Sequence, residues 1–232
     1  MAGAFEPWSI AMKAMILAAG RGERLGELTA ERPKPLLEVA GESLIERHLR
    51  RLHEADVTDI VINLCYLGAQ IRAALGDVSP WGQRLSYREE EAPALETGGG
   101  IINALPLLQP DPFIVVNADV FTDFDFATLR CARCDGFVML VPNPPHHAHG
   151  DFGLAASGAV TVTPPLLTYG GVAMFAPALF DGFEPGRRPL RPILDSAIHR
   201  GALKGFRHAG IWQDVGTAER LAEIRERSDE SA

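Results

Sequence analysis

Cysteine is scarce in this chain, three residues in 232. An odd number argues against a closed disulfide framework, so a reducing, cytoplasmic setting is expected. No apolar run approaches the roughly 20 residues that span a bilayer, which removes a membrane from the expected partners. Basic charge is in deficit, with 22 Lys and Arg against 30 Asp and Glu and a formal charge of −8. Nucleic-acid binding normally needs a basic face, so nucleic acid is not an expected partner either. Internal repeats and low-complexity linkers are missing. The opening MAGAFEPWSIAM has neither the basic start nor the long apolar stretch of a signal peptide. It reads as a leader or extension over 1–12, followed by a single domain over 13–228 and a tail over 229–232.

Short apolar runs alternate with helical spacing. Lys13–Ala19, Asp59–Cys65, Leu85–Arg88, Phe113–Asn117 and Gly136–Val141 read as strands, the apolar ones suited to a sheet buried on both faces. Ser43–Ala55, Leu67–Leu75, Gly99–Leu108 and Asp123–Arg133 read as the helices between them. The alternation predicts an α/β fold with a mostly parallel central sheet covered on both faces. Beyond residue 150 the pattern changes. Phe152–Ala155 and Ala159–Thr163 flank a Ser157-Gly158 turn as a hairpin, and Gly170–Phe175 is a further strand. This part reads as a small mixed β lid region. Arg191–Arg200 and Thr217–Arg227 close the chain as helices.

The strongest chemical signal is Leu17-Ala-Ala-Gly-Arg-Gly-Glu-Arg-Leu-Gly26. It is neither a P-loop, since no Lys-Ser/Thr follows, nor the dinucleotide fingerprint, since the glycine spacing is one residue too long. A glycine-rich turn leaving a parallel strand still lets backbone N–H groups approach phosphates. Ligands of open sheets bind at that edge. Taken alone the segment is equally well a tight turn with surface arginines. Pro33-Lys34-Pro35 shifts the balance, because two prolines stiffen the chain around one cation. Asp119, at the end of Val115-Val-Asn-Ala-Asp, lies just past a buried strand end, where a carboxylate can hold a metal over a ligand. A cap or turn is the commoner role for a single Asp.

L-A-A-G-x-G-x-R-L followed by P-K-P-L-L resembles the signature of the sugar-1-phosphate nucleotidylyltransferase family, and the resemblance runs through most of Lys13–Arg225. It implies a Rossmann-like three-layer sandwich of the nucleotide-diphospho-sugar transferase type, and Mg²⁺ as cofactor. Trp212-Gln-Asp-Val-Gly-Thr217 resembles the family's W-x-D-x-G-T element, which implies Asp214 as second metal carboxylate beside Asp119. Magnesium suits such oxygen donors. The implied nucleotide site is Leu17, Ala18, Ala19, Gly20, Arg21, Gly22, Lys34, Pro93, Leu95, Thr97 and Gly98. Lys34, Arg24 and Asp119 are the implied catalytic residues, and Glu96, Gly99, Asn117, Gly150, Asp151 and Gly171 the implied sugar site. One departure is Glu27-Leu28-Thr29, where the family often has Pro-Leu-Thr, leaving the path of the first loop open.

Glu96-Thr-Gly-Gly-Gly100 has two readings: Thr97 capping a helix with glycines for close packing, or glycines giving a sugar room. The resemblance favours the second. His146, His147 and His149 are too close together for a tetrahedral zinc site without other ligands. With Asn143, Gly150 and Asp151 they resemble the sugar-side loop of one family branch, the small N-acetylmuramate 1-phosphate uridylyltransferases. Cys131-Ala-Arg-Cys134 lacks the companions of a redox or zinc motif and reads as helix surface.

The resemblance therefore implies transfer of a uridylyl group from UTP to N-acetylmuramate 1-phosphate in peptidoglycan recycling, by a monomer or homodimer. A hexose 1-phosphate guanylyl- or thymidylyltransferase is the rival enzyme, and a nucleotide-sugar-binding regulatory subunit the rival without catalysis. The chain ends soon after Asp214, so no acyltransferase β-helix is expected.

Overall fold

The computed structural model describes residues 12–131 and 134–229. The expected leader, apart from Met12, and positions 230–232 of the expected tail lie outside these. So do 132 and 133 of the Cys131–Cys134 stretch. Met12 itself is buried in the core.

Lys13–Leu17 forms β1, and short strands β2 (Glu38–Val39) and β3 (Glu42–Ser43) pair with each other as a separate ribbon. Helix α1 (Leu44–Glu54) starts at Ser43 through a reciprocal capping box with Glu46, which satisfies two backbone donors that the first turn would otherwise leave open. Strand β4 (Asp59–Leu64), helix α2 (Gly68–Leu75), strand β5 (Arg84–Glu89), helix α3 (Glu96–Leu108) and strand β6 (Phe113–Asn117) follow. After them come β7 (Val120–Thr122), β8 (Gly136–Val141), β9 (Phe152–Leu154), β10 (Val160–Thr161) and β11 (Leu166–Phe175). The chain closes with α4 (Arg191–His199), β12 (Leu203–Arg207), β13 (Trp212–Asp214) and α5 (Ala218–Asp229).

The main sheet runs β12-β8-β11-β6-β1-β4-β5, with the β9–β10 hairpin joined to the start of β11. Strands β1, β4, β5 and β6 are mutually parallel, β8 and β12 run the same way, and β11 alone among these seven runs against them. Side chains alternate faces along a strand. Ala14, Ile16, Ile114 and Val116 therefore pack with Ile45, Leu49 and Leu52 of α1 and Ile71 of α2. Met15, Phe113 and Val115 pack with Ile101, Ala104 and Leu108 of α3 and Ile193 and Leu194 of α4. These two clusters make the three layers. A third cluster fastens Leu221 and Ile224 of α5 to Leu25, Leu37 and Phe121.

The helix expected over Asp123–Arg133 is instead a short 3-10 turn at Phe126–Cys131. Buried Phe124 and Phe126 sit two residues apart in edge-to-face contact, a spacing that puts them on different sides of an α-helix. The Asp125 carboxylate accepts from the Ala127 N–H and so caps a tight turn. Strand β11 starts four residues before its expected Gly170, because Leu166 and Leu167 pair with β9. The helix α5 reaches Asp229, one residue into the expected tail.

Candidate active site

A cavity of about 670 Å³ opens beyond the carboxyl ends of β1, β4 and β6. Leu17, Ala18, Ala19, Gly20, Arg21, Gly22, Arg24 and Lys34 line it, together with Glu96, Thr97, Asn117 and Asp119. Among the described residues, the N–H groups of Ala19 to Gly22 find no protein acceptor. They form a ready cradle for phosphate oxygens. Gly22 has φ +69°, and a side chain there would press on the Lys34 stem. Thr29 steadies the loop by donating to the Gly22 and Gly26 carbonyls. The departure at Glu27-Leu28-Thr29 thus leaves the turn braced.

Lys34 sits between two prolines at a 3-10 turn and is buried. Its Nζ lies 2.5 Å from Asp119 Oδ2 across the cavity wall. Arg24 is exposed and has no hydrogen bond or ion pair among the described residues, so its charge is free for a ligand. Strands β7 and β13 join the chain segments that carry Asp119 and Asp214. Asp214 pairs with Val120, and Val215 N–H donates to the Asp119 carbonyl. Among the described residues no cluster of three acidic, His or Cys ligands forms. Carboxylate oxygens, with phosphate oxygens and waters to complete the shell, suit Mg²⁺ rather than a caged metal.

Asn63 is a site residue the sequence did not single out. It sits, buried, in the apolar run of β4. It accepts from Ala18 N–H at 2.8 Å and donates to Glu90 Oε1 at 2.7 Å, while Glu90 Oε2 accepts from Leu95 N–H at 2.8 Å. This relay locks the glycine-rich loop, β4 and the loop before α3 into one wall. A lone Asn inside an otherwise apolar strand was its only sequence signal. Pro93 is exposed and Leu95 contributes backbone to this relay; it is Ala94, not these two, that lines the cavity.

Four expectations for the sugar side need correction. Gly99 does not provide clearance: a Cβ there would lie 2.2 Å from the Gly186 carbonyl, and its N–H donates to the Arg188 carbonyl. Gly98 is closed in the same way by the Pro189 carbonyl. The glycines let the 186–190 loop dock on α3, and Glu96 reinforces this by pairing with Arg187 at 2.7 Å. Asp151 does not face the cavity. Its Oδ2 accepts from Tyr169 N–H and its Oδ1 meets His147 Nε2. Gly150 has φ +66° and makes room for the Asn143 side chain. Gly171 likewise makes room for Asn117, whose own Oδ1 is buried with no partner among the described residues.

A second cavity, of about 660 Å³, adjoins the first at Arg24 and is walled by Pro144, His146, Trp212, Asp214 and Arg220. Arg220 Nη1 lies 2.5 and 2.6 Å from the two Asp214 oxygens, and His146 Nε2 lies 3.0 Å from Oδ1. Neither Arg220 nor this placement of His146 was foreseen. Behind the site, His48 of α1 is fully buried. Its ring nitrogens approach the Val120 backbone without meeting hydrogen-bond geometry. Burial, and then the Arg47 charge, push its pKa down to about 4. Cys65 and Cys134 are free thiols, and the Cys134 Sγ donates to the Gly136 carbonyl.

The family model described as Nucleotidyl transferase matches residues 13–162. The N-acetylmuramate alpha-1-phosphate uridylyltransferase of Neisseria meningitidis is 48% identical over 92% of this chain and 97% of its own length. That of Caulobacter vibrioides is 34% identical over 91% and 96%. The mannose-1-phosphate guanylyltransferase of Mycobacterium tuberculosis is 32% identical over 89% of this chain but only 61% of its own length. In fold the chain matches a putative glucose-1-phosphate thymidylyltransferase structure from Bacillus anthracis, with a TM-score of 0.83 at 21% identity over 94% of this chain and 95% of that one.

Proposed function

The chain belongs to the nucleotidyl transferase family, and on that basis we propose that it transfers a uridylyl group from UTP to N-acetyl-α-D-muramate 1-phosphate, releasing pyrophosphate. The observation that carries this reading is the 48% identity, across nearly the whole of both chains, to a relative named for that reaction. The site chemistry supports it. The triphosphate lies along the open N–H groups of Ala19–Gly22 with Arg24 and Lys34 at its charge. A phosphate oxygen of the sugar attacks the α-phosphorus in line, the bond to the β-phosphate oxygen breaks, and pyrophosphate departs. Such a transfer depends on positioning and charge neutralisation rather than on a nucleophilic side chain. Mg²⁺ held by Asp119 and Asp214 would neutralise charge on the phosphates. Lys34, presented by its two prolines, holds Asp119 in place and stands beside the reacting phosphate.

The product, UDP-N-acetylmuramate, would serve peptidoglycan recycling in the cytoplasm; among the described residues no helix is long and apolar enough to cross a membrane. The test crosses four nucleoside triphosphates with several sugar 1-phosphates in Mg²⁺ and reads pyrophosphate. UTP with N-acetylmuramate 1-phosphate should give the highest kcat/KM. A higher value for GTP with mannose 1-phosphate would replace this reading with the guanylyl one.

A further inference from the structure

Arg21 lines the nucleotide cavity from between Gly20 and Gly22. The loop itself gives this side chain little to lean on. A Cβ at Gly20 would meet nothing within 4 Å. The approach to Glu23 is 3.8 Å long, with both side chains largely exposed, and such a pair fixes little. A contact from outside the loop does more. The Arg21 guanidinium carbon lies 5.3 Å from the centre of the Tyr66 ring, over its face. The ring's negative face attracts a cation there, and the flat guanidinium stacks on it.

Tyr66 is itself held. It stands in the turn between β4 and α2, three residues after the Asn63 that binds the Ala18 N–H. Its hydroxyl donates to the carbonyls of Thr29 and Ala30, each at 2.9 Å. Gln70 Nε2, from α2, donates to the Glu31 carbonyl at 2.9 Å. Thr29 in turn donates to the Gly22 carbonyl. The ring is thus tied at its hydroxyl to the same loop whose arginine rests on its face. A tyrosine has only two side-chain torsions, so a ring anchored this way loses little further freedom in holding a cation. The guanidinium it holds belongs to the stretch whose N–H groups stand open for phosphate. A guanidinium matches phosphate oxygens as a fork, and one already in place needs less ordering when they arrive.

We propose that Tyr66 is a positioning residue for the transfer: its ring holds the Arg21 guanidinium at the outer phosphates of the nucleotide, and its hydroxyl holds the ring. The inference rests on the uridylyl reading given above, which supplies the triphosphate.

The experiment compares wild type, Tyr66→Phe, Tyr66→Leu, Arg21→Ala and the double variant Tyr66→Leu with Arg21→Ala. Calorimetry in Mg²⁺ measures binding of UMP and of a UTP analogue whose α–β bridge is a methylene group, so that pyrophosphate cannot leave. UMP shares the base, the ribose and one phosphate. The analogue-to-UMP affinity ratio therefore reads the outer two phosphates and cancels general damage to the site. Tyr66→Phe keeps the ring face and should keep the ratio, while its Tm falls with the lost bonds to Thr29 and Ala30. Tyr66→Leu should lower the ratio about 5-fold, the effect of losing one cation–ring contact at a partly exposed site. Arg21→Ala should lower it at least as much, and Tyr66→Leu should add nothing to Arg21→Ala. A wild type that binds neither ligand overturns the uridylyl reading and this inference with it. A wild type that binds both ligands equally overturns this inference alone. So does a ratio that survives Tyr66→Leu, one that falls as far in Tyr66→Phe, or single losses that simply add in the double variant.

Discussion

Lys34 Nζ stands 2.5 Å from Asp119 Oδ2, joining the turn after the glycine-rich loop to the segment beyond β6 in the cavity wall. The pair holds a cation and the carboxylate proposed to bind metal in one place before any substrate arrives. Lys34→Ala is expected to lower kcat by about 10²–10³, the usual effect of losing one preorganised electrostatic contact. Asp119→Asn should abolish turnover while the fold persists. Steady-state kinetics beside far-UV circular dichroism separates the two effects, and an unchanged kcat in Lys34→Ala would remove Lys34 from the reacting centre.

Asp214→Asn removes the second carboxylate and deprives Arg220 of its main partner. Turnover should vanish and titration with Mg²⁺ should not restore it. Near wild-type activity at low millimolar Mg²⁺ would exclude a site built on two carboxylates.

Gly99→Val is expected to act on stability rather than on sugar choice. The added Cβ would meet the Gly186 carbonyl at 2.2 Å, and backbone must move to admit it. Overpacking of this kind costs about 1–3 kcal/mol. A fall in Tm, together with proportional losses on both sugars, is the expected result. A selective loss on the muramyl substrate at unchanged Tm would return Gly99 to the sugar site.

His48 gives stability a pH dependence. Its pKa falls from the ordinary 6.5 to about 4 in the folded protein. As pH drops below 6.5 the unfolded chain takes up a proton that the native state refuses, so stability present above 6.5 is lost progressively toward pH 4. The loss is on the order of 2 kcal/mol by pH 5. Urea midpoints at pH 7 and pH 5 measure it, and His48→Leu should flatten the difference. An equal pH dependence in the variant would assign the effect elsewhere.

Much of the architecture was legible because burial leaves a periodic trace. The β1, β4 and β6 runs are apolar on both faces, and α1 spaces Leu44, Ile45, Leu49 and Leu52 at helical intervals. The first half of the site was legible for a different reason: Gly22 and Pro33-Lys34-Pro35 act through backbone constraints that are local in sequence. What escaped were contacts between distant segments. Nothing near residue 99 in sequence announces that the Gly186 carbonyl will occupy its empty flank. Nothing near His146 announces Arg220, 74 residues on. The Asp151 carboxylate was expected to face the sugar, but its oxygens are taken up by the Tyr169 N–H and His147 Nε2.

The Asn63–Glu90 relay also sets a boundary in time. The Ala18 N–H is buried against the Asn63 side chain, and its hydrogen can exchange with water only when that wall opens. Two to four residues later, Gly20, Arg21 and Gly22 carry N–H groups with no protein acceptor among the described residues, so their hydrogens exchange on contact with solvent. Protection against exchange depends on such local opening equilibria. A steep gradient of amide lifetimes is thus written into five consecutive residues, and its outer half is the part that a bound phosphate would slow.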